Sequence, residues 1–210
     1  MSARAGSQRA ATGPGRPRLV EPRRNAESAA EEILDAAAEL FTRRGFTATS
    51  TRMIAEAVGI RQASIYHHFA TKDDILATLL ETTVAGSLDR ARELLAADGP
   101  PLDRLLDLAR FDVAELAGAR WNLGALYLLP EVGAERFADF RQARAQLAGA
   151  YAELAADVLA DPADKRVLLP FRLVESVIMM RGDEDRGQLG GHTAVGLVDT
   201  IVGAIRILLG

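Results

Sequence analysis

None of the 210 residues is cysteine, which excludes disulfides, thiolate metal sites and a cysteine nucleophile. Aromatic side chains are scarce, 5% of the chain with one tryptophan, so a core must come from Ala, Leu, Ile and Val. Long apolar runs are missing as well. The most apolar late stretch, His192 to Leu209, falls short of the roughly 20 residues that cross a bilayer and contains Asp199 and Arg206. No apolar leader-like segment opens the chain. From these absences we expect a soluble, cytoplasmic protein that neither spans a membrane nor is exported. Catalytic signatures are lacking too: there is no HExxH, GxGxxG, P-loop or GxSxG, and the acidic residues fall mostly on polar helix faces. No enzyme activity and no cofactor are expected. With only His67, His68 and His192 as imidazoles, no metal site is expected either.

Excess positive charge is also absent, for the net charge is -4. Its distribution is uneven. Residues 1–75 carry 11 Lys and Arg against 9 Asp and Glu, and residues 76–210 carry 14 against 20. A positive front and a negative rear would orient the molecule on a polyanion without making all of it adhesive. An imbalance of this size is also ordinary for a protein surface.

What is present is helical periodicity. Residues 1–27 lack it; rich in Arg, Gly, Pro and Ala, they read as a disordered basic arm. Within the arm, Gly15-Arg16-Pro17-Arg18 fits either an extended pair inserted in a narrow minor groove or a solvated tail. Ser28-Ala29-Ala30-Glu31 has a capping-box pattern, and Ile33, Ala37, Leu40 and Phe41 follow at helical spacing until Arg43-Arg44-Gly45. Thr49 to Thr51 caps a second helix. Thr71-Lys72-Asp73-Asp74 opens a long one, running through Ile75, Leu79, Val84 and Leu88 towards Leu95. After Asp98-Gly99-Pro100-Pro101, helices are expected near 102–118, 121–130, 134–160, 163–182 and 192–209. No window alternates as a strand would, so the fold class is all-α.

Between Thr49 and Phe69 the pattern is that of a helix-turn-helix. Ile54, Ala57 and Val58 share one face, Gly59 supplies the left-handed helix end, and Ile60, Ile65 and Phe69 resume the apolar face. Arg61, Gln62, Ser64, Tyr66, His67 and His68 are left facing outward. They offer donors and planar groups but no carboxylate to repel a phosphate, so this second helix suits the major groove of DNA.

These residues resemble the TetR family of bacterial transcriptional regulators. The resemblance covers roughly Ile33 to Leu80 and rests on Ala38-Glu39-Leu40-Phe41, Gly45-Phe46, Thr49-Ser50-Thr51, Ile54-Ala55, Ala57-Val58-Gly59-Ile60, Ile65-Tyr66-His67-His68-Phe69 and Lys72-Asp73-Asp74-Ile75-Leu76. Ala63 stands where the family often has glycine, and His67 where it often has a second aromatic; both departures bear on base preference. The resemblance implies a homodimer with an N-terminal three-helix helix-turn-helix domain, here 28–75. A larger antiparallel helical domain for ligand binding and dimerisation, here 76–210, would follow. It further implies a repressor released by a small molecule. By similarity, Thr51, Arg52, Tyr66, His68 and Lys72 would hold backbone phosphates, with Arg61, Gln62 and Ser64 at base edges beside His67.

Beyond Leu80 the resemblance thins. Large apolar side chains there are either plain core or, as family members bind ligands between these helices, the walls of a pocket. Phe111, Trp121, Tyr127, Phe171 and Met179 are the candidate walls, with Arg110, Asn122 and Glu175 as the polar part. Arg172 and Glu175, at i and i+3, have the spacing of a surface pair. The helices near 163–182 and 192–209 carry apolar residues on more than one face, which predicts a four-helix homodimer interface and a palindromic operator of double-stranded DNA. Ligand would then move the helix beginning at Thr71. The alternative from the sequence is a helical interaction module that binds polyanions through its basic arm without sequence preference.

Overall fold

The protein is described here by a computed structural model covering residues 28–190, 193 and 196–210. The basic arm expected over 1–27, with Gly15-Arg16-Pro17-Arg18, lies outside the described residues, as do Gly191, His192, Ala194 and Val195 at the expected start of the last helix. Among the described residues all regular structure is helical.

Helix α1 (Ala29–Arg44) begins where the Ser28 hydroxyl accepts the Glu31 N–H at 3.2 Å. It ends at Gly45, with Arg43 and Arg44 near the negative pole of its dipole. Helix α2 (Thr51–Val58) is capped by Ser50 and stops at Gly59, whose φ of 81° and ψ of 30° lie in the left-handed region. A side chain at that position would be strained, so glycine fixes the turn. Helix α3 (Gln62–Ile65) is one turn long. The chain then tightens, with the Phe69 and His68 N–H groups both on the Ile65 carbonyl. Helix α4 (Lys72–Ala96) opens with a complete capping box between Thr71 and Asp74. Ile33, Phe41, Ile54, Ile65, Ile75 and Leu80 are fully or almost fully buried where these helices meet. Phe46 closes the base edge-on against Phe41, at 5.0 Å between rings.

The rear half of α4 belongs to a second core. Helices α5 (Pro101–Gly118), α6 (Ala138–Leu159), α7 (Leu169–Asp185) and α8 (Leu197–Leu209) pack there around Leu105, Leu106, Val113, Leu154, Val174 and Ile205. One helix therefore runs through both cores.

The helix expected near 121–130 is absent. Residues 123–137 instead form three 3-10 turns, Leu123–Leu128, Pro130–Gly133 and Glu135–Phe137. Two residues explain the difference. Pro130 interrupts any regular helix, and Gly124 lies so close to α7 that an added Cβ would meet Ile178 side-chain atoms at 2.5 and 2.6 Å. The later helices are displaced accordingly: α6 starts at Ala138 rather than 134. α7 starts at Leu169 after a 3-10 turn (Lys165–Leu168) capped by Asp164, and α8 starts at Leu197.

Candidate nucleic-acid interface and effector cavity

The turn from α2 to α3 is held by a triangle of side chains. Gln62 Nε2 donates to Thr51 Oγ1 at 2.8 Å and lies 3.3 Å from Tyr66 Oη, which is itself 3.3 Å from Thr51 Oγ1. Fixing these long polar groups before any ligand arrives lowers the entropic cost of presenting them. Around the triangle, Arg61, His67 and His68 are exposed, Ser64 is half-buried and Tyr66 is 51% exposed. Arg61 sits at the N-cap of α3 without a side-chain cap bond. Arg52 is exposed and pairs with Glu56 at 2.9 Å, so a carboxylate does stand at the rim of this surface, one turn from α3. Lys72 is placed differently from the other candidates. Its ammonium donates to the carbonyls of Phe46 at 2.8 Å and Thr49 at 2.9 Å, and lies 4.0 Å from the centre of the Phe46 ring. Two of its three N–H groups thus tie α4 to the α1–α2 loop. Among the described residues no group of three His, Cys, Asp or Glu could hold a metal ion.

Further back, the candidate pocket residues divide. Tyr127, Phe171 and Glu175 line one interior cavity between α4, α5, α6 and α7, with about 30 Å³ of free space. Trp121 and Asn122 face an adjoining cleft; Met179 stands 57% exposed at an outer one that shares Tyr127 and Glu175 with the cavity. Phe111 packs against Gly86, and Arg110 pairs with Asp107 at 2.9 Å on the surface; the structure brings neither to these spaces. Asn122 is spent on the Ile178 carbonyl at 2.9 Å. Glu175 pairs with Arg172, as the spacing suggested, but also takes Arg144 through both oxygens, at 2.7 and 2.6 Å.

Sequence reasoning missed Asp112, 3% exposed on α5. Tyr151 Oη donates to its Oδ2 at 2.8 Å, whereas Oδ1 is buried without a formed hydrogen bond. Burial pushes this carboxyl up to about 6, with the Ser87 and Tyr151 hydroxyls pulling it back and the Glu115 charge adding to the rise. Burial likewise raises Tyr127 to about 12, so its hydroxyl, bonded to Thr83 at 2.6 Å, stays neutral.

The loop after α5 and the 3-10 segment also tie the rear domain to the front one. Trp121 Nε1 donates to Asp35 on α1 at 2.7 Å, and Arg120 reaches both Asp35 oxygens at 3.2 Å. Arg136 meets Asp74 at 2.7 Å, in the first turn of α4.

On the far side, Leu168 just before α7, Met179 on α7 and Ile207 on α8 are exposed at 62%, 57% and 84%. Leu169, Leu173, Ala204 and Leu208 join Ile207 along an apolar groove. The sequence pattern put apolar residues on more than one face of these helices; of them, Phe171, Val174, Ile201, Val202 and Ile205 are buried in the subunit's own core.

Comparison with known proteins agrees with this architecture. Residues 33–79 match the family model described as bacterial regulatory proteins, tetR family. Over 86 residues the chain is 38% identical to the HTH-type transcriptional repressor KstR2 of Mycobacterium tuberculosis, a stretch covering 40% of this chain and 43% of that protein. The crystal structure of Mycobacterium smegmatis AmtR is similar along nearly the full length: 51% identity, 90% of each chain covered, TM-score 0.82. The fold is shared more distantly, at 18% identity and a TM-score of 0.65, with AibR in complex with isovaleryl coenzyme A and operator DNA; 84% of this chain and 97% of that one are covered.

Proposed function

The chain belongs to the tetR family of bacterial regulatory proteins, and from that premise we propose that it is a ligand-responsive transcriptional repressor. It binds a palindromic operator as a homodimer and is released by a small molecule. One observation carries the DNA assignment: Arg61, Gln62 and the two histidines project from a turn already stiffened by the Thr51, Gln62 and Tyr66 hydroxyl and amide contacts. Arg61 has the donor fork for a guanine edge, and Gln62 reaches an adenine edge once its Nε2 exchanges Thr51 and Tyr66 for the base, with Ser64 and His67 beside them. Thr51, Arg52, Tyr66, His68 and the remaining N–H of Lys72 face where backbone phosphates would run.

Release follows from α4. Thr83, Val84 and Ser87 on its middle turns line the interior cavity, while its first turn is bonded to Phe46, Thr49 and Arg136. A ligand that shifts those middle turns therefore tilts the helix-turn-helix and changes the separation of the two recognition turns in the dimer. AibR, of the same fold, has been solved in complex with isovaleryl coenzyme A and operator DNA. Titration of a selected duplex and its scrambled counterpart at one salt concentration tests the reading. Specific binding tighter by about 10³-fold or more is expected; equal affinities contradict it.

A further inference from the structure

The interior cavity, with about 30 Å³ of free space, holds no more than a water-sized group, and the Asp112 and Glu115 carboxylates on its lining would repel an anion. The outer cleft is different. It offers about 360 Å³, the size of a small-molecule site, and Arg144, Arg172 and Arg186 line it against one carboxylate, Glu175. Asp183 holds Arg186 at 2.6 Å from beside the cleft. Even with that acid counted, the cations stay in excess.

The cleft already accommodates a carboxylate. Glu175 receives the Arg144 fork through Nε and Nη2, and Arg172 through one nitrogen alone. A guanidinium has five N–H donors, so Arg172 can keep Glu175 by itself. An incoming carboxylate can then take the Arg144 fork, and no charge is left without a partner. Arg144 is also the group that joins the cleft to α4. It lines both spaces and lies over the Tyr127 ring at 5.6 Å, and the Tyr127 hydroxyl is bonded to Thr83 of α4 at 2.6 Å. Drawing Arg144 outward uncovers the ring that touches α4.

We propose that the effector is a small organic carboxylate, bound in the outer cleft by the Arg144 guanidinium in exchange for Glu175, and that this exchange is what shifts α4. The proposal rests on the regulator reading above. It commits to a planar, singly charged anion as the head that Arg144 takes.

The test is calorimetric titration of the full chain with butyrate, n-butanol and n-butylammonium, alongside operator titration in the presence of each, with chloride adjusted to keep ionic strength fixed. Butyrate is expected to bind at least about tenfold more tightly than either analogue, since a hydrogen bond to a charged group is worth about that factor or more. It is also expected to weaken operator binding. Glu175→Gln keeps the size of the side chain and removes the competing charge, so it should tighten butyrate binding by about tenfold. Arg144→Gln should abolish the preference. A gain of affinity in Glu175→Gln cannot come from misfolding. No binding of butyrate, equal affinity for the three probes, unchanged or weaker binding by Glu175→Gln, or an Arg144→Gln protein with the preference intact would each overturn the carboxylate assignment. Selective butyrate binding that leaves operator affinity unchanged would overturn the exchange as the step that shifts α4. Sequence-specific operator binding that persists alongside any of these results leaves the regulator reading standing; its absence without any probe overturns that reading instead.

Discussion

Arg61 and Lys72 are both cations beside the recognition turn, yet their surroundings give them different work. Arg61 is exposed and presents its fork outward, so Arg61→Ala should cost about 1–3 kcal/mol on the selected operator and little on a scrambled one. Lys72 holds two carbonyls of the α1–α2 loop. Lys72→Ala should lower stability by about 1–3 kcal/mol and weaken all duplexes alike, because it takes the donor from the Thr49 carbonyl, leaves the Phe46 carbonyl only the Thr49 N–H, and loosens α4. Binding curves on both duplexes, with urea unfolding, separate the two roles. Asp112 has a different signature. Its pKa is raised by burial from 3.8 to about 6, so the folded protein binds this proton more tightly than the unfolded chain. The group's stabilising contribution is full below about pH 4 and lost as pH rises through 6, a cost of roughly 3 kcal/mol at pH 8. Asp112→Asn should therefore be about 1–3 kcal/mol more stable than the parent at pH 8 and nearly equal to it at about pH 3, below the unfolded pKa. A difference in urea midpoint that does not change with pH would contradict this origin.

Among the elements, α1, α2 and α4 were legible because each carries its own punctuation: a side-chain cap, an apolar stripe and, for α1 and α2, a glycine stop. The 3-10 segment was not. Its apolar residues read as a helix, and only tertiary contact decides otherwise, since Gly124 must lie against Ile178 and Leu126, Val132 and Phe137 must reach the front core. Asp112 escaped notice for the same reason: an acid on an amphipathic helix gives no sign of burial until Ser87 of α4 and Tyr151 of α6 stand opposite it. Trp121 was readable as an important side chain, but its partner Asp35 lies 86 residues away and looked like one more solvated acid. The close approach of Gly124 yields a test. Gly124→Ala must displace Ile178 or lift the segment from α7, at about 1–3 kcal/mol of stability. It should also alter operator affinity, because Trp121 just before this segment and Arg136 on it hold α1 and α4. A stability loss with operator affinity untouched would show that the segment does not position the helix-turn-helix.

For the whole molecule, two-fold symmetry is what would convert the proposed four-residue recognition helix into a specific reader. A single short element makes few base contacts; two at fixed separation multiply their effect. The apolar groove of α7 and α8, with Ile207 84% exposed at its edge, is the surface through which we expect subunits to pair. Ile207→Glu should give monomers at micromolar concentration by sedimentation, with operator affinity reduced by about a hundredfold or more; an unchanged dimer would place the interface elsewhere. The central claim, that two copies of the Arg61 to His68 surface read one duplex together, is tested most directly by selecting bound sequences from a pool of random duplexes. The account predicts enrichment of an inverted repeat whose half-sites lie on one face of the DNA. Enrichment of a single unsymmetric site, or of none, would contradict it.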